Sequence, residues 1–133
     1  MLKDLKLDNV LFIDIETVPQ VPDFNNLDDK FKLLWEKKAV LLMRNNPDAT
    51  ADKLYSSAGI YAEFGKIVCI SCGFMNGKTF RIKSYYGDNE KVLLEDFADL
   101  LYKHFNDNYN LLCAHNGKEF DFTWEANPGE VWE

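Results

Sequence analysis

Val10-Leu11-Phe12-Ile13-Asp14-Ile15 is an apolar run interrupted by one acid, and a second acid, Glu16, follows immediately. The run has the length and composition of a central strand. A charge inside a strand is costly unless it is paired or bound to a metal. Residues two apart on a strand share a face. Asp14 and Glu16 should therefore project together, with Ile13 and Ile15 facing another layer. Two carboxylates held side by side oppose each other's ionisation unless a cation neutralises them, and a hard divalent cation with oxygen ligands does so. The plainer alternative is that both acids mark the solvent-facing end of a strand. The doublet alone leaves both readings open.

The rest of the chain sets that strand in an α/β context. Val18-Pro19-Gln20-Val21-Pro22 should break it, because two prolines cannot continue a ladder. Leu27, Phe31, Leu34, Trp35, Leu41 and Leu42 then recur at helical spacing, with Asp28 and Asp29 at the positive end. Asn45-Asn46-Pro47 should end that helix. Thr50 can cap a shorter one, Ala51 to Ser57, stopped by Gly59. Ile67 to Phe74 and Thr79 to Tyr85 read as a hairpin through Met75-Asn76-Gly77-Lys78, with Asn-Gly as its turn. Asp88 or Asn89 can cap a helix through Phe105, with an apolar stripe of Leu93, Phe97, Leu100, Leu101 and Phe105. Leu111 to Ala114 is a fourth strand. This order predicts a mixed sheet with helices on its faces.

At 133 residues the chain has the length of one domain. Twenty-two acidic and 15 basic side chains give a net charge of −7. That balance argues against a generic coat for phosphate backbones, whose affinity rests on Lys and Arg. It suits an enzyme whose divalent cations supply the positive charge. No apolar run is long enough to span a membrane, and Met1 to Asp8 lacks the pattern of a secretory signal. The expected location is the cytoplasm. Cys69 and Cys72 lie three apart on one predicted strand and face opposite ways, so with Cys113 they are expected to be free core thiols.

Asp121 adds to the doublet. It stands beyond the fourth strand, in Ala114-His115-Asn116-Gly117-Lys118-Glu119-Phe120-Asp121, where Asn116-Gly117 provides a tight turn. Parallel strands tend to present functional groups at their carboxyl ends. Asp14, Glu16 and Asp121 are thus expected to converge across adjacent strands.

Phe12-Ile13-Asp14-Ile15-Glu16-Thr17 resembles the first exonuclease motif of the DEDD superfamily, and Asn116-Gly117-Lys118-Glu119-Phe120-Asp121 resembles the second. The closest likeness is to predicted exonucleases related to the proofreading domain of family-B DNA polymerases, and it runs from about Val10 to Phe122. The resemblance implies a ribonuclease-H-like fold, with three antiparallel strands, a helix and then a parallel strand. It also implies 3′–5′ hydrolysis of DNA, with Mg²⁺ or Mn²⁺ as cofactor, two ions in an intact site, and a single-stranded DNA 3′ end as partner. On that likeness Asp14 would bridge both ions, Glu16 would bind the ion on the nucleophile side, and Asp121 would hold the second. Thr17, Asn116 and Phe120 would contact substrate.

The family's third motif, a Tyr or His shortly before a last Asp, has no counterpart in Thr123–Glu133. The chain then divides into a partial exonuclease domain over 1–122, with a helical insert at 27–58, and an irregular tail over 123–133. Lacking the fourth carboxylate and the Tyr or His, it is expected to turn over poorly. Lacking the family's fifth strand and following helices, it is expected to self-associate through an exposed truncated edge. The rival reading is an inactive ribonuclease-H-like remnant that binds nucleic acid or only self-associates. His115 reads first as a hydrogen-bonded structural residue and His104 as surface. Lys66, Lys78, Arg81 and Lys83 read as a solvated face, with a phosphate track as the alternative.

Overall fold

A computed structural model describes residues 4–115 of the chain. Four strands form one mixed sheet: β1 (Val10–Pro19), β2 (Gly65–Asn76), β3 (Thr79–Tyr86) and β4 (Leu111–Cys113). Their spatial order is β3-β2-β1-β4. β2 and β3 are antiparallel, while β1 and β4 are parallel with Phe12 level with Cys113. The helices are α1 (Asp29–Leu42), the single turn α2 (Ala51–Leu54) and α3 (Glu90–His104). Among the described residues no helix is long and apolar enough to cross a membrane.

The backbone divides into two compact units. Among the described residues, one comprises 4–16 and 67–115, the other Thr17–Lys66. In the first, α3 starts where Asn89 accepts a hydrogen bond from the Val92 N–H at 3.2 Å, satisfying one orphan donor of the first turn. Glu90 in that turn also accepts from the Ile67 N–H at 2.7 Å, which ties the helix start to β2. Leu93, Phe97 and Leu100 are buried, one side chain per helical turn, each worth about 1.5–3 kcal/mol of burial. Leu101 and Phe105 of the expected stripe are half-buried. Phe97 meets Tyr85 of β3 edge-on, and Phe105 meets Phe74 of β2 likewise. α3 therefore covers the face formed by the even residues of β2 and the odd residues of β3.

The second unit is built on aromatics. Trp35, Tyr55 and Phe64 pack edge to face, with ring centroids 5.0–5.5 Å apart, and Leu27 and Ala58 complete the buried cluster. The Trp35 indole donates to the Ala51 carbonyl at 2.7 Å and the Tyr55 hydroxyl to the Val21 carbonyl at 2.9 Å. Burial pushes the Tyr55 phenol up from its ordinary pKa. Gly59 is buried, and a Cβ there would stand 2.9 Å from the Val18 carbonyl carbon, so only glycine lets this backbone close on β1's last residues.

Several local expectations give way to the structure. β1 continues through Pro19 instead of stopping at Ile15, since a proline is tolerated where a strand ends. α1 buries Trp35 and Ala39 and leaves Leu34 and Leu41 exposed; the helix turns its aromatic, not its leucines, toward the cluster. The shorter helix is one α-turn followed by a 3-10 segment, Tyr55–Ile60. Thr50 makes no side-chain cap there, its hydroxyl bonding the Asp52 carboxylate instead. The hairpin turns on Gly77-Lys78, with Asn76 paired to Thr79 as the last ladder residue, and Gly77 takes φ +62°. Cys72 is buried, its thiol pushed up in pKa by that burial, but Cys113 on the edge strand is exposed and not part of the core.

Candidate functional site

β1 alternates as its sequence requires. Leu11, Ile13 and Ile15 are buried, while Asp14 and Glu16 are exposed and Phe12 is half-buried. Phe12 identifies the face: its ring meets Phe80 of β3 edge-on at 5.8 Å. Phe80 is an even residue of β3, opposite in facing to Tyr85, which packs on α3. Asp14 and Glu16 thus stand on the face turned away from α3. Cys69, Ser71, Gly73 and Met75 of β2 share it, as do Phe80, Ile82, Ser84 and Tyr86 of β3.

Gly73 has a specific role on this face. A Cβ there would meet the Phe80 ring at 2.4 Å, so its absence lets that ring lie down over β2 beside Phe12. The sequence signal for it is a glycine inside an apolar strand, which often marks a close approach. Neither Gly73 nor the alternating Phe80, Ile82 and Tyr86 belongs to the exonuclease-like motifs.

Neither carboxylate has an ion pair or hydrogen bond among the described residues; the salt bridges there are Lys91–Glu95 and Lys103–Asp99, both on α3. Two adjacent acidic groups, oxygen donors free and no cation beside them, are the donor chemistry that a hard divalent ion takes. Among the described residues no three His, Cys, Asp or Glu side chains cluster closely enough to hold a metal ion. Asp121, Asn116 and Phe120 lie outside the described residues.

β4 bears on how a third acid could arrive. It ends at Cys113, level with Phe12, and runs in the direction of β1. Ala114 and His115 therefore leave the sheet at the end where Asp14 and Glu16 stand. His115 is exposed, and so is His104 in the last turn of α3. Thr17 belongs to the other unit, where its hydroxyl donates to the Gly59 carbonyl at 2.6 Å. Its one proton is committed to structure, leaving its lone pairs as the contact it can offer. Arg81 and Lys83 lie on the α3 side of the sheet, with Lys83 4.7 Å over the Tyr85 ring. They are on the opposite face from the carboxylates and form no phosphate track beside them.

Comparison of the chain with family models, curated proteins and solved structures returned no match. The site therefore stands on its own geometry.

Proposed function

We propose that the chain is a metal-dependent 3′–5′ exonuclease domain of the DEDD type, acting on a single-stranded DNA end. The observation that supports the reading is the parallel register of β1 and β4: Ala114 and His115 leave the sheet at the end of β1 where Asp14 and Glu16 stand. A ribonuclease-H-like arrangement is consistent with the order β3-β2-β1-β4. Exposed Phe80 and Tyr86 on the same face as the acids supply aromatic surfaces on which bases can stack.

Asp14, Glu16 and Asp121 would hold Mg²⁺ or Mn²⁺, which when bound supplies positive charge against the scissile phosphate and lowers the pKa of a water. The protein's part is to fix two carboxylates on a stiff strand and to leave the face beside them open to a nucleotide. The test is release of nucleotides from a 3′-labelled single strand with Mn²⁺ present. Cleavage that disappears in Asp14→Ala supports the assignment, and cleavage that persists in that variant removes it.

The exposure of both acids near the solvent end of β1 also fits a second reading, a non-catalytic module of the same architecture. Calorimetric titration with Mn²⁺ separates the two. Heat lost in both Asp14→Asn and Asp121→Asn belongs to a shared site, whereas no heat in the unaltered protein belongs to the module.

A further inference from the structure

β3 is an edge strand, with β2 on one side and no ladder neighbour on the other among the described residues. The phase of its ladder can be fixed. The Gly87 N–H donates to the Val68 carbonyl at 3.1 Å, and these two residues continue the register in which Cys69 faces Tyr86. In an antiparallel pair, directly opposed residues alternate between bonded and non-bonded. Odd residues from Thr79 to Tyr85 thus bond to β2. Phe80, Ile82, Ser84 and Tyr86 turn their N–H and C=O groups outward, toward the open edge.

Such an edge is a template for another strand unless something blunts it. β3 has no proline and no break in register from Thr79 to Tyr86. Its outward residues also carry exposed apolar side chains: Ile82 is 72% and Tyr86 82% accessible. On either side of Ile82 in the strand, on the other face, stand Arg81 and Lys83, both exposed. Arg81 has no carboxylate partner among the described residues.

Those two cations decide what the edge can accept. A second copy pairing antiparallel about Ile82 would set Arg81 against Lys83, and one pairing about Lys83 would set that residue against itself. Both registers, the two that pair most of β3, oppose like charges at directly facing positions, which is destabilising. A register about Ser84 sets Lys83 against Tyr85 and avoids this only by pairing fewer residues. An incoming strand would meet Arg81 and Lys83 at its non-bonded positions, where opposed side chains approach most closely. We infer that the free edge of β3 is a strand-addition site for an extended peptide segment in which acidic and apolar residues alternate. Its acids would face Arg81 and Lys83, and its apolar residues would continue the surface of Phe80, Ile82 and Tyr86.

The protein's net charge of −7 makes the inference easy to break, because the overall field favours a basic peptide. The probes are two fluorescein-labelled synthetic peptides, one alternating Glu with Val and one alternating Lys with Val, followed by anisotropy on the whole chain. The Glu peptide should bind on the order of tenfold tighter, about the effect of two cross-strand charge pairs changing sign. Arg81→Glu combined with Lys83→Glu, both exposed substitutions, should invert the preference. Ile82→Pro removes an outward N–H together with the isoleucine side chain and should abolish binding of both peptides while the far-UV circular dichroism is retained. Ile82→Ala, which keeps the N–H, should instead keep the preference for the Glu peptide. Equal or tighter binding of the Lys peptide to the unaltered protein overturns the inference, as does no inversion in the double variant. A dimer in sedimentation that Ile82→Pro dissolves would make the occupant a second copy, and would overturn it too.

Discussion

In the helical unit the Trp35 indole and the Tyr55 hydroxyl both end on backbone carbonyls, whereas Asp14 and Glu16 on the sheet meet neither a cation nor a donor among the described residues. The first region buries its polar atoms and satisfies them. Its aromatics then lock edge to face around Trp35, which is fully buried. The second region has one face sealed by α3 and leaves the other with acids and apolar side chains in the open. Polar groups with internal partners hold a fold together; like charges left side by side without partners add nothing to it. The difference marks the open sheet face as the place to look for chemistry and the helical unit as the place to look for stability.

That contrast can be attacked from its strongest side first. Trp35→Ala removes the centre of the aromatic cluster and should cost about 3–5 kcal/mol, as large aromatic deletions do, read as a lowered urea midpoint. Gly73→Ala comes next. The new methyl group displaces the far end of the half-exposed Phe80 ring, which can swing toward solvent, so the cost should stay at about 1 kcal/mol. Nuclear Overhauser effects between the Phe12 and Phe80 rings should weaken in the same variant. The smallest effect belongs to the acids. Asp14→Asn with Glu16→Gln should change stability by no more than about 0.5 kcal/mol, the range of exposed positions. Calorimetric melting at low salt checks this. A large loss in the double variant would mean that the carboxylates are structural, and the comparison between the two regions would collapse.

Much of the sheet was legible because period-two alternation is strict. Ile13 and Ile15 had to face inward if Asp14 and Glu16 faced outward, and they do. The Asn89 cap and the buried stripe of α3 could also be read, since a cap and a stripe are local in sequence. α1 was harder. Its apolar residues surround much of the helix, so several faces could have packed; contact with Tyr55 and Phe64 selected Trp35 and Ala39. The hairpin slipped by one residue for a similar reason. Both Asn76 and Gly77 tolerate a turn, and the ladder to Thr79 chose between them.

The amino-acid order alone determined that two carboxylates share one face of β1, because the side-chain period of a strand admits no other outcome. It could not determine which face that was. The choice was made by a helix from elsewhere in the chain, when Phe97 and Phe105 closed on Tyr85 and Phe74. Nor could it determine that β3 would keep a free edge among the described residues, since an edge is a property of what a strand lacks for neighbours. Local sequence sets direction and spacing; burial, a contest among all the apolar surfaces of the molecule, decides which of those directions meets water.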